Sequence, residues 1–120
     1  MKQISLATTG FVLVTKRTRK RVFLDEMSLV VPWRELVGLI QPFAPTGTGA
    51  KGGRPTFAVE TMLRIHFLQQ WFGLSDPAME EALHDTPLHR EFARLDAGMV
   101  RMPDETTILR FRHLLEEHTT

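Results

Sequence analysis

Three side chains near one end of the sequence combine groups that bind anions: Thr106, Arg110 and His113. Their spacing of i, i+4 and i+7 places a hydroxyl, a guanidinium and an imidazole on one face of an α-helix. Thr107 and Arg112 lie beside that face. Hydroxyl groups contact phosphate oxygens, and arginine pairs bidentately with phosphate or with guanine. The pattern therefore indicates a helix surface that binds a polyanion.

The same helix permits a second interpretation. Arg110 and Arg112 are within reach of the acidic residues Glu105, Glu116 and Glu117. Oppositely charged side chains three or four positions apart form ion pairs on a solvated helix face and need no ligand. The residues of this helix alone leave both interpretations open.

A second group of cations lies near the N-terminus, where five of six consecutive residues are basic: Lys16, Arg17, Arg19, Lys20 and Arg21. Residues 1–24 hold six Lys or Arg and no acid, whereas residues 25–120 hold nine Lys or Arg against fourteen Asp or Glu. The net charge of +1 hides this asymmetry. The pattern predicts a basic arm on a slightly acidic body, suited either to phosphate contacts or to solvation alone.

Three more arginines are candidates for contacts with a polyanion. Arg54 lies in residues 44–56, where four Gly and two Pro predict a flexible linker. This loop is no Walker motif, because no Gly-Lys-Ser/Thr follows at the required spacing. Arg90 and Arg94 belong to a short predicted helix and, with His89, are expected on its surface.

Catalytic chemistry has little support in the sequence. There is no cysteine, so disulfides, zinc–thiolate sites and thiol nucleophiles are excluded. Glu81 and His84 match the Glu-x-x-His spacing of a di-iron site, but such a site needs a second copy and further inward carboxylates. No Gly-x-Ser-x-Gly motif is present. We therefore expect no metal, no cofactor and a solvated acidic face around Glu81.

The elements that must position these groups are predicted to be helices. Predicted helices cover residues 23–31, 33–41, 57–72 and 88–95, and two more start after the caps Asp76 and Asp104. No alternating strand pattern of useful length follows residue 15. The prediction is an all-α fold, a compact bundle of about five or six short helices with a flexible basic arm.

Two local features refine this prediction. The helix over 57–72 carries apolar residues all round and is expected at the centre of the core, with Thr56 as its cap, Gly73 as its end and His66 as a core histidine. The two short helices after Asp76 are joined by a tight turn and resemble a helix-turn-helix.

Several landmarks occur together in a characteristic order. They are residues 22–27 (Val-Phe-Leu-Asp-Glu-Met), 31–33 (Val-Pro-Trp), 53–55 (Gly-Arg-Pro), 62–77 (from Met-Leu-Arg to Ser-Asp-Pro), 80–85 (Glu-Glu-Ala-Leu-His-Asp) and 103–116 (from Pro-Asp-Glu-Thr-Thr to Leu-Leu-Glu). In order and spacing the chain resembles the N-terminal region of bacterial DDE transposases of the insertion-sequence-five type, over roughly residues 20–118.

The resemblance implies an all-α domain that binds double-stranded DNA at the terminal inverted repeats of a mobile element, in the bacterial cytoplasm at the nucleoid. It also implies that an Asp-Asp-Glu triad binding Mg²⁺ belongs to a separate RNase H-like domain. That catalytic domain is expected to be absent, which leaves a basic arm over 1–22, a helical DNA-binding domain over 23–118, and no enzyme activity.

Two rival functions stay open. The helices can form a module that dimerises or docks on a catalytic domain, in which case the exposed cations contribute only solubility. The chain can also be a truncated regulator that competes with a full-length transposase for its ends. A membrane role is not expected, because no apolar run approaches the ~18 residues that a span needs.

Overall fold

The computed structural model describes residues 18–44, 57–95 and 101–118. Most of the predicted basic arm, with Lys16 and Arg17, lies outside the described residues, as does the Gly- and Pro-rich loop from residue 45 to residue 56, with Arg54. The prediction that Thr56 caps the next helix is wrong, because that helix begins at Val59 with Ala58 at its N-cap position. The chain divides between Val30 and Val31 into two units.

The first unit contains one described helix, α1, Arg19–Val30. It begins four residues before the predicted start at Phe23, because the Thr18 hydroxyl accepts a hydrogen bond from the Arg21 N–H at 3.1 Å and caps the first turn. Three residues assigned to the basic arm, Arg19, Lys20 and Arg21, are therefore helical. Leu24 is the buried residue of α1.

The second unit contains the other described elements. These are α2 (Trp33–Ile40), a 3₁₀ turn (Gln41–Phe43), α3 (Val59–Phe72), α4 (Asp76–Asp85), α5 (Pro87–Phe92) and α6 (Glu105–His118). The all-α prediction is confirmed: the described ranges hold six α-helices and no strand. No helix in these ranges is long and apolar enough to cross a bilayer.

Helix α3 is the centre of the second unit, as predicted. It packs against α2, α4 and α6, and its buried apolar residues are Val59, Met62, Leu63, Ile65 and Leu68. Gly73 ends the helix at φ 63°, a left-handed conformation that favours glycine, and the Leu74 N–H donates to the Gln69 carbonyl at 3.0 Å. This predicted helix end is confirmed.

The core also holds a charged side chain that the sequence pattern does not reveal. Arg64 is only 1% exposed. Its guanidinium lies 4.3 Å from the centroid of the Trp33 ring and 4.9 Å from that of Phe92. It donates hydrogen bonds to the Glu60 carboxylate at 2.9 Å and to the Phe92 carbonyl at 3.1 Å. Stacking on aromatic faces and paired hydrogen bonds compensate the desolvation of this cation.

The start of α4 differs from the sequence prediction. Ser75, not Asp76, is the capping residue, and its hydroxyl accepts from the Ala78 N–H at 3.2 Å. Asp76 is displaced from this role because its carboxylate accepts hydrogen bonds from Arg112 and Gln69 on two other helices. The helix therefore begins at Asp76, and Pro77 is its second residue, where the missing backbone N–H of proline is tolerated.

Helix α5 is shorter than predicted and buries a residue that was expected on the surface. It ends at Phe92 rather than Leu95. His89 is 3% exposed, and its ring stacks on Phe72 with centroids 6.0 Å apart. The prediction of a surface His89 was wrong, because the single residue Thr86 between α4 and α5 turns this side of α5 toward α3.

Candidate nucleic-acid interface

Helix α6 is held at its N-terminus by two carboxylates. Asp104 accepts from the Thr107 N–H at 2.8 Å, which confirms the predicted cap. Glu80 on α4 accepts from the Glu105 N–H, also at 2.8 Å. Backbone N–H groups at a helix N-terminus can otherwise bind phosphate. Here these two donors are engaged within the protein, so the first turn of α6 presents negative charge.

The inward face of α6 fixes the rotation of the helix. Ile108, Phe111 and Leu115 are buried. They follow the helical repeat and pack toward α3 and α4. Because these three side chains point inward, the residues between them on the opposite side of the helix must face solvent.

The outward face carries the three groups that the sequence pattern placed together. Thr106, Arg110 and His113 are all exposed. Arg110 makes no hydrogen bond or ion pair with any other residue that the structure describes. Thr107, half-buried beside them, has its N–H engaged by Asp104. We call Thr106, Arg110 and His113 the open face of α6.

Arg112 lies apart from this face. Its guanidinium donates to Asp76 on α4 at 2.8 Å and to Glu116 at 3.3 Å. The hydrogen bond to Asp76 raises the pKa of Arg112, and the same bond lowers the pKa of Asp76. The two arginines of α6 thus differ. The ion-pair interpretation describes Arg112, whereas it does not describe Arg110, which is exposed.

Asp76 connects three helices. In addition to Arg112, it accepts from the Gln69 amide on α3 at 2.8 Å. His66, one turn before Gln69, lies close enough to feel the charges of Arg112, Glu116 and Asp76. Its Nδ1 atom is buried without a hydrogen-bond partner. Burial is the main cause that lowers the pKa of His66. His66 is therefore half-buried, and the hydrogen bond to backbone that was expected of a core histidine is not made by Nδ1.

The two arginines of α5 also differ. Arg90 donates to the carbonyls of Leu83 and His84, at 2.6 and 2.8 Å. These carbonyls belong to the last turn of α4, where intrahelical donors are missing, so Arg90 caps that helix. Arg94 is exposed and lies just beyond α5 with φ 66°.

The cations at the start of α1 form a separate group in the first unit. Arg19 is exposed, while Lys20 and Arg21 are half-buried. Burial lowers the pKa of Lys20. No acid lies in the first turn of this helix. Since the helix dipole is positive at that end, three cations there are unfavourable to the isolated helix.

Sequence reasoning missed the residues that hold α6 in place. Glu80 and Asp76 are 25 and 36 positions away from their partners Glu105 and Arg112. Local spacing carries no signal for such pairs. The buried Arg64 was also missed, although Glu60 at i−4 is a pattern that favours an ion pair.

No group of three or more Asp, Glu or His residues in the described ranges is arranged to hold a metal ion.

A model of the transposase domain family (Transposase domain, DUF772) matches residues 12–114. The chain belongs to this family. The match covers both units of this transposase domain, from before α1 to the last turns of α6. No solved structure matches the chain.

Proposed function

We propose that this transposase domain binds double-stranded DNA at the terminal inverted repeats of a mobile element. In this proposal it is the N-terminal, DNA-binding portion of an insertion-sequence-five-type DDE transposase and has no catalytic centre of its own. Strand cleavage, and the Mg²⁺ that it requires, belong to a separate RNase H-like domain. The domain itself acts in the bacterial cytoplasm, at the nucleoid, and needs no cofactor.

The observation that carries this proposal is the open face of α6. Arg110 is exposed in the middle of a helix whose other arginine is held by carboxylates. An arginine without a partner in the fold keeps its full donor capacity for a guanine edge or a phosphate. Thr106 adds a hydroxyl and His113 an imidazole on the same side.

The charge distribution along α6 limits how DNA can approach. Asp104, Glu105 and Glu80 surround the first turn. Like-charge repulsion keeps phosphates away from that end, so contacts begin at Thr106 and centre on Arg110. The proposal therefore assigns base or phosphate contacts to the middle of the helix and not to its N-terminal N–H groups, the usual anion site of a helix.

Helix α5 is the weaker candidate for the recognition element. It has six residues, it buries His89 and Phe92, and Arg90 is engaged in capping α4. We assign the sequence-reading role to α6 for these reasons. The basic residues from Lys16 to Arg21, and Arg54, are proposed to add contacts with the phosphate backbone, which give affinity and not sequence preference.

The test uses the complete 120-residue chain and a duplex carrying the inverted repeat. Arg110→Ala should weaken binding by about 10-fold, since one arginine–base contact is worth about 1–3 kcal/mol, and leave the melting temperature unchanged. Arg34→Ala, which removes an exposed arginine from α2, is the matched control. Fluorescence anisotropy at several salt concentrations gives both affinity and salt dependence. Equal losses for the two variants would contradict the assignment to α6.

A second candidate function, self-association, has one observation in its favour. Leu39, in α2, is 66% exposed, and Phe43, four positions later in the 3₁₀ turn, is 50% exposed although its ring stacks on His118. Neighbouring exposed apolar side chains mark interaction surfaces. Sedimentation of the chain and of Leu39→Ser tests it: a dimer that the substitution dissociates, with no DNA binding by the unaltered chain, would favour a dimerisation module over the DNA-binding proposal.

A further inference from the structure

One residue in the described ranges has a backbone conformation that its side chain disfavours. Arg94 has φ 66°, and no other non-glycine residue there has a positive φ. In the left-handed region the Cβ atom crowds the neighbouring carbonyl, so glycine is the residue of choice and arginine is strained.

The turn after α5 imposes this conformation. The Leu95 N–H donates to the Arg90 carbonyl at 2.9 Å, and the Arg94 N–H donates to the Glu91 carbonyl at 3.1 Å. This pair of bonds is the Schellman arrangement that ends many helices, with Arg94 at the position where glycine is common. Ala93 is fully buried and Leu95 is 6% exposed, so the turn is anchored on both sides.

The side chain of Arg94 gives the fold no compensation for this strain. It is exposed, and no hydrogen bond or ion pair joins it to another described residue. It also lies near the buried Arg64: burial is the main cause that lowers the pKa of Arg64, and the charge of Arg94 lowers that pKa further. Both the backbone and the charge at this position therefore oppose the isolated fold.

We infer that Arg94 is a contact for the phosphodiester backbone of the bound nucleic acid. Residues that have a strained backbone conformation, and whose side chains make no compensating contact within the fold, are concentrated at functional positions. Because Ala93 and Leu95 are buried and the Arg94 N–H is engaged in the turn, only one guanidinium is presented there. A single guanidinium suits a phosphate better than a base edge, which is read by several groups together. This inference rests on the proposed DNA-binding function.

The test is a substitution whose effects on stability and on binding have opposite signs. Arg94→Gly relieves the strain and should raise the melting temperature of the chain by about 2–5 °C. It should also weaken DNA binding by about 3- to 10-fold for repeat and unrelated duplexes alike, and lower the slope of log affinity against log salt by about 1. Arg94→Lys, which keeps the charge, should keep most of the affinity without the gain in stability.

Each alternative result has a defined meaning. If Arg94→Gly binds DNA as the unaltered chain does while Arg110→Ala is impaired, the inference is wrong and the proposed function stands. A lowered melting temperature for Arg94→Gly overturns the inference by showing that the side chain supports the fold. A loss confined to the repeat sequence overturns the phosphate assignment. If the unaltered chain binds no DNA even at low salt, the proposed function fails and this inference fails with it.

Discussion

Helices α3 and α6 each carry an arginine near their middle, and the two arginines have opposite environments. Arg64 of α3 is enclosed by Trp33, Phe92 and the Glu60 carboxylate. Arg110 of α6 is exposed, with no partner among the described residues. One cation is enclosed in the core and the other faces solvent.

The difference teaches that the role of an arginine is decided by tertiary neighbours. Phe92, whose carbonyl and ring both contact Arg64, lies 28 positions away in the sequence. Arg112, two residues from Arg110, is held by Asp76, 36 positions away. Neither long-range pair produces a local pattern in the sequence. The helical repeat that points Arg110 outward is such a local pattern.

The largest expected effect is at the buried cation. Arg64→Ala removes a large side chain from the core, breaks its hydrogen bonds to Glu60 and Phe92 and opens a cavity between aromatic rings, so we expect a loss of about 3 kcal/mol in the free energy of unfolding. Urea denaturation measures it. Glu60→Gln, which keeps the shape of the partner, should cost much less. A loss for Arg64→Ala no larger than for Arg110→Ala would remove the contrast between the two helices.

A smaller effect is expected at the start of α6. Asp104→Ala removes the side-chain cap on the Thr107 N–H and should cost about 1 kcal/mol of unfolding free energy. Asp104→Asn keeps an acceptor and should cost clearly less. Thermal unfolding followed by circular dichroism distinguishes the two variants. Equal effects would mean that charge at the helix N-terminus, and not the hydrogen bond, is what matters there.

Acid should weaken the attachment of α6 to α4 through Asp76. Its pKa is lowered, first by the hydrogen bond from Arg112, so its contribution to stability is present above the ordinary value of 3.8 and is lost as the pH falls through the lower folded value. Unfolding free energies measured across that acid range should fall less steeply for Asp76→Asn. An identical acid profile for the variant would contradict this role of the ion pair.

The smallest effect is expected at His66. Burial lowers its pKa, so the folded chain binds the proton less readily than the unfolded chain, and stability falls as the pH drops below the ordinary value of 6.5. Arg112 opposes protonation, while Glu116 and Asp76 favour it. His66→Met removes this dependence and the buried Nδ1 atom without a partner.

Much of the fold could be predicted from the sequence because its signals are local. Apolar periodicity predicted α3 as the central helix, and Gly73 and Asp104 marked helix ends that the structure confirms. Helix starts were less certain. Ser75 is the cap in place of Asp76, because the Asp76 carboxylate is bound by side chains of two other helices and does not cap its own helix.

The candidate site was predictable only in part. Helical spacing correctly grouped Thr106, Arg110 and His113 on one exposed face. It did not reveal that Arg90 caps α4 or that Arg112 pairs with Asp76, since both depend on how helices pack. Whether the grouped residues contact DNA stays a prediction, as do the roles of Lys16, Arg17 and Arg54 outside the described residues.

The Glu80 carboxylate that accepts from the Glu105 N–H has a consequence for the order of folding. A first-turn N–H that bonds to a nearby residue in the sequence can be satisfied while the helix forms alone. The bond between the Glu105 N–H and the Glu80 carboxylate can form only after α4 is in place. We expect the Glu105 N–H, unlike the locally capped Thr107 N–H, to become protected late, after α4 has docked. Amide hydrogen exchange at Glu105 should therefore become faster in Glu80→Gln, while exchange in the middle of α3 is unchanged.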